Sequence, residues 1–93
     1  MKEKKEIATA LKYEANKDGA PHLIAKGQWD IARKIKEIAR ELNIPTYQDE
    51  KLARQLYNLS LGEEIPPELY QVVAEILAFI VELDMKEDAS DDR

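Results

Sequence analysis

Between Gln28 and Tyr47 the apolar residues recur at helical spacing: Ile31, Ile35, Ile38 and Leu42 form one stripe, with Ala32 and Ala39 beside it. Arg33, Lys34, Lys36, Glu37, Arg40 and Glu41 fill the opposite side. Gly27 permits a tight entry, Asn43 suits a left-handed exit, and Pro45 prevents continuation, so the pattern predicts one amphipathic helix with both ends marked. Short apolar stretches flank it, Leu23 to Ala25 upstream and Ile44 to Tyr47 downstream. Read as strand, helix, strand, this is a βαβ unit, which predicts a right-handed crossover between parallel strands.

From Ile7 to Tyr13 the period changes to two. Ile7, Thr9, Leu11 and Tyr13 occupy one face of a predicted strand, and Ala8, Ala10 and Lys12 the other. The small alanines suit close approach by a helix, and the larger face suits a second covering layer. Glu14 to Ala20 reads as a turn rich in Asn, Asp and Gly, with Pro21 entering the next strand, so the first two strands are expected to pair antiparallel. Asp49 is a good N-cap for a helix carrying Leu52, Leu56 and Leu59, with Gly62 as its stop. Pro66 and Pro67 then open a third helix. Its core stripe is Leu69, Val72, Val73, Ile76, Leu77, Ile80 and Leu83, with Tyr70, Phe79 and Val81 extending the apolar surface around the cylinder. That girth fits either a helix wedged between two layers or one with a face left for a partner. The expected fold is α/β: a small mixed sheet of about three short strands with three helices packed around it.

Composition narrows the classes. The 93 residues allow one small domain, and 44% apolar with 35% charged residues is a globular balance with no run long enough to span a bilayer. Without cysteine there is no disulfide, thiolate metal site or thiol nucleophile. A net charge of −5 lacks the basic field that drives nucleic-acid binding. No secretory signal follows the charged start, which makes a cytoplasmic location the expectation. The sole histidine, His22, has no Ser or Cys constellation near it and reads as an ordinary surface or packed residue. Asp30, Glu37 and Glu41 fit intrahelical pairing with Arg33, Lys34 and Arg40 better than paired catalytic carboxylates. Trp29 is either a partner anchor or a ring half-buried over its own helix. No metal site, cofactor motif or catalytic residue is expected, and residues alone indicate a small α/β binding domain.

The segments ALKYE (10–14), GAP (19–21), IAKG (24–27), IARKIKEIARELNIP (31–45), LARQLY (52–57) and GEEIPPELYQVVAEILAF (62–79) resemble, in order and spacing, the cytoplasmic domain of the FlhB/YscU family. Its members are export-switch proteins of flagellar and injectisome type III secretion. The resemblance covers about residues 7–83, which are taken as one domain between a charged disordered lead (1–6) and an acidic disordered tail (84–93). It implies a non-enzymatic interaction module of the protein export apparatus, with export substrates or export-gate components as partners and no membrane insertion of its own. A soluble regulator that sequesters substrates or the length-control protein, and an unrelated protein sharing only the fold, are the alternatives.

Two departures accompany the resemblance. Family members carry a transmembrane domain and an Asn-Pro-Thr-His loop that cleaves itself after the asparagine; here that motif would fall on Glu3, Lys4, Lys5 and Glu6, which offer no equivalent cyclisation. The chain thus looks like a free-standing counterpart of the post-cleavage fragment, expected to be a monomer in isolation and to lack the strand that precedes the loop in the family. The family's substrate-docking patch maps onto Ala20, Pro21, Ala74 and Leu77, and each of these has an alternative reading as ordinary packing of the turn on the helix.

Overall fold

Two strands, β1 (Ile7–Lys12) and β2 (His22–Gln28), pair antiparallel and are followed by helices α1 (Asp30–Glu41), α2 (Glu50–Tyr57) and α3 (Tyr70–Asp91), the last entered through a 3₁₀ turn at Pro67–Leu69. The computed structural model describes residues 5–14, 16 and 19–91, with the side chains of α3 described as far as residue 80. The hairpin expected from the Asn/Asp/Gly turn is present, and the class is α/β with helices on both faces of a small sheet.

The register holds the key to the layering. Ala8 opposes Gly27 and Ala10 opposes Ala25, but Leu11 opposes Leu23, so Ile24 is an extra residue on β2. A bulge of this kind shifts the side-chain alternation by one. Leu23 is thereby turned to the face opposite Ala25 and Gly27, where it is completely buried among Leu52, Leu56, Leu59, Ile65, Leu69 and Val73. Leu11 packs on the same cluster, while Ile24 is 50% exposed. This face, under α2 and α3, is the main core.

The other face is covered by α1, and here the structure corrects the expected orientation. The buried residues of α1 are Ala32 and Ala39, whereas Ile31, Ile38 and Leu42 are exposed by 60%, 43% and 65%. The strand residues on that face are Ala8, Ala10, Ala25 and Gly27, whose small size permits a close approach by α1. A Cβ on Gly27 would overlap the side chain of Ile31 and lie 3.2 Å from its carbonyl carbon, which explains the glycine. Asn43 (φ 58°) ends α1 as expected: its N–H donates to the Arg40 carbonyl at 3.2 Å, and Ile44 N–H to the Ala39 carbonyl at 2.8 Å.

Ile44 to Tyr47, expected as a parallel strand, pairs with no strand among the described residues, and the βαβ crossover is absent. Pro45 lacks a donor, and the edge of β2 is already taken by Gly62 to Ile65. Leu23 N–H donates to the Glu63 carbonyl at 2.9 Å, Gly62 N–H to Leu23 at 2.7 Å and Ile65 N–H to Pro21 at 2.9 Å, with an antiparallel bridge between His22 and Glu64. The third strand-like piece therefore comes from after α2 and runs antiparallel. Gly62 (φ 88°) belongs to this turn rather than to the end of α2, which closes at Tyr57.

Glu6 ties the start of β1 to the entry of α1. Glu6 accepts from Trp29 N–H at 2.9 Å through its carbonyl, and its carboxylate accepts from Arg33 Nε at 3.1 Å and Lys36 Nζ at 3.4 Å. Residues 1–4 of the expected lead lie outside the described residues. The helix α3 runs on to Asp91, since no glycine or proline interrupts the sequence after Pro67 and Glu, Lys, Met and Ala favour helix. The side chains of Leu83, expected in the core stripe, and Val81, expected to extend the apolar surface beside it, are outside the described set.

Candidate interaction surface on the last helix

Pro67 starts the 3₁₀ turn that leads into α3, its missing N–H costing nothing at that position. From there Leu69 and Val73 enter the core, and Val72, Ile76 and Leu77 pack partly against it. Ala74, Glu75, Ala78 and Phe79 are exposed. The apolar surface of α3 thus continues past the core contact on both sides of the helix.

Of the four residues expected to form a docking patch, Ala20 is 4% exposed and belongs to the main core, and Pro21 is buried with its carbonyl accepting from Ile65. Leu77 packs, partly buried, against the core cluster to which Ala20 also belongs. Ala74 is the one exposed member. Of the four, Ala74 and part of Leu77 reach solvent, and Ala20 and Pro21 are buried.

The structure adds a cleft that the sequence did not single out. It has a volume of about 300 Å³ and is lined by Tyr47, Asp49, Val72, Glu75, Ile76 and Phe79. Tyr47 and Phe79 meet edge to face at its mouth, with ring centroids 6.4 Å apart at 73°, while each stays about half exposed. The Asp49 carboxylate is engaged at the start of α2, accepting from Leu52 N–H at 3.1 Å, and Glu75 accepts from Gln71 Nε2 at 3.4 Å. The lining is apolar with an acidic rim, a chemistry for an apolar side chain beside a cation. The signal available was Phe79, an aromatic outside the core stripe; Tyr47 was obscured by its assignment to a strand.

His22 lies in β2 at the Glu64 bridge, and the intrahelical pair expected of Asp30 is formed with Arg33 at 3.3 Å. Trp29 is 43% exposed and precedes α1 with φ 54° and ψ −120°, a conformation that non-glycine residues seldom adopt. Among the described residues no group of histidine, cysteine or carboxylate side chains is arranged to hold a metal ion, and no helix is long and apolar enough to cross a membrane.

Comparison with known proteins bears on this arrangement. The model of the FlhB HrpN YscU SpaS family matches residues 4–80. The flagellar biosynthetic protein FlhB of Aquifex aeolicus (strain VF5) is 49% identical over 76 residues, which are 81% of this chain and 22% of that protein. The chain thus spans about a fifth of that relative's length. The uncharacterized protein YlqH of Bacillus subtilis (strain 168) is 40% identical over 86 residues, covering 90% of this chain and 92% of that one. Among solved structures, the cytoplasmic domain of FlhB from Shewanella putrefaciens superposes with a TM-score of 0.85 at 39% identity, over 90% of this chain and 66% of that one.

Proposed function

Because the chain belongs to the FlhB HrpN YscU SpaS family, with residues 4–80 matched, we propose that it is a non-enzymatic interaction domain of the flagellar or type III protein export apparatus. It works on the cytoplasmic side and receives export substrates or export-gate components on the exposed surface of α3 around Ala74 and Leu77. The observation that carries the reading is the 39% identity and close superposition with the FlhB cytoplasmic domain of Shewanella putrefaciens. The partly open apolar surface of α3 supports it physically, since a small patch binds weakly and a weak site can hand its cargo on.

The test is binding of purified export substrates and export-gate components to the chain and to two variants. Ala74 is exposed, so Ala74→Asp is expected to leave stability within about 0.5 kcal/mol of wild type and to abolish binding. Leu77→Ala is expected to lower stability by roughly 1 to 3 kcal/mol because that side chain is only partly buried. Undiminished binding by a folded Ala74→Asp variant would remove this surface from consideration, and absence of any binding by wild type would remove the reading itself.

A further inference from the structure

Beside its buried alanines α1 carries an apolar stripe with a regular spacing, whose first member, Ile31, sits over Gly27 while staying 60% exposed. Ile31, Ile35, Ile38 and Leu42 are separated by four, three and four residues, the d-a-d-a spacing of a two-stranded coiled-coil seam. Three of them are exposed by 60%, 43% and 65%, and Ile35 is partly buried. In that frame Ala32 and Ala39 occupy the e positions and are the residues buried against the sheet. Lys34 and Glu41 occupy the g positions on the free flank, both exposed and without an ion-pair partner among the described residues.

We propose that this face of α1 pairs with the same face of a second copy of the chain, antiparallel and about a two-fold axis. Antiparallel pairing places Ile31 opposite Leu42 of the second copy and Ile35 opposite its Ile38, so every apolar position meets an apolar position. The same arrangement sets g against g, bringing Lys34 of each copy to Glu41 of the other. The seam is self-complementary in shape and in charge, which is what selects a second copy over an unrelated helix. A parallel pairing lacks this match, because its flanking contacts run from g to e and the e positions are alanines held on the sheet. With four apolar side chains per copy, the interface is smaller than the roughly 1,200–2,000 Å² of specific stable complexes, so the dimer is weak and concentration-dependent.

The experiment is sedimentation velocity on the full chain from about 10 µM to about 1 mM, a range chosen for an interface below standard size. The weight-average mass is expected to climb from monomer toward dimer, and Ile38→Asp is expected to stay monomeric throughout. Lys34→Glu and Glu41→Lys are each expected to weaken association by roughly three- to tenfold, since each replaces two attractive rim contacts by repulsive ones. The double reversal Lys34→Glu/Glu41→Lys is expected to restore it. Lys34 and Glu41 are exposed, so this cycle decides the matter even where Ile38→Asp does not fold. A mass that stays monomeric at the highest concentration, or a double reversal no better than the single ones, overturns the proposal. Neither outcome bears on the α3 surface, which is a separate site.

Discussion

The ammonium group of Lys26 donates to the carbonyl oxygen of Leu59 at 2.9 Å, tying β2 to the end of α2 across 33 positions of sequence. The same group donates to the Tyr57 carbonyl at 3.1 Å and lies 4.9 Å from the centroid of the Tyr57 ring. The last carbonyls of a helix have no partner within it, and a cation there answers both the unmet acceptors and the negative end of the dipole. Lys26→Met keeps the aliphatic stem and removes the donors. It is expected to lower stability by about 1 to 2 kcal/mol, read from urea unfolding, with Lys26→Arg intermediate. Unchanged stability in Lys26→Met would show that water serves those carbonyls equally well.

The bulge at Ile24 yields a sharp contrast between neighbours of similar size. Leu23 is wholly buried in the main core and Ile24 is half exposed. Leu23→Ala is expected to cost about 3 to 5 kcal/mol, enough to unfold a large part of the population of so small a domain. Ile24→Ala is expected to cost under about 1 kcal/mol. Equal losses in thermal unfolding would mean that β2 keeps an unbroken alternation in solution.

Local signals were legible in the sequence, and signals that depend on what lies opposite were not. Asp49 as an N-cap, Asn43 as a left-handed exit and Pro67 as a helix opener each act within a few residues, and each stands where expected. The extra residue at Ile24 has no such signature, because register is set by the strand across from it. The facing of α1 was misjudged for a related reason. Hydrophobicity favours isoleucines for the core, yet against a sheet face of Ala8, Ala10, Ala25 and Gly27 the residues that α1 buries are Ala32 and Ala39, with Ile31 seated over Gly27. The cleft between Tyr47 and Phe79 required the path of the chain after Pro45.

The chain is expected to remain whole. None of its three asparagines precedes proline: Asn16 is followed by Lys17, Asn43 by Ile44 and Asn58 by Leu59. Intact-mass spectrometry after prolonged incubation should show a single species apart from loss of the first methionine. A discrete break near residues 3–6, where the family's self-cleaving loop would fall, would contradict this.

The outer edge of β1 supplies the last prediction. Among the described residues β1 has β2 as its only strand neighbour, and no isolated bridge reaches its far side. Glu6 continues along the β2 side, since its carbonyl accepts from Trp29 N–H. The described part of the lead therefore does not fold back over the outer edge. An edge of unpaired backbone groups accepts an extended peptide from another chain. A peptide copying the strand that precedes the self-cleavage loop in FlhB relatives is expected to add there. It should raise the melting temperature with concentration, adding about 1.4 kcal/mol of stability at roughly ten times its Kd. That amounts to about 4 to 8 °C for each kcal/mol in a domain of this size. Amide exchange along Ile7–Lys12 should slow at the same time, a change that peptide bound on α3 would not produce. A melting temperature indifferent to the peptide, with exchange in β1 unaltered, would show that the edge is closed, and strand addition would have to be abandoned.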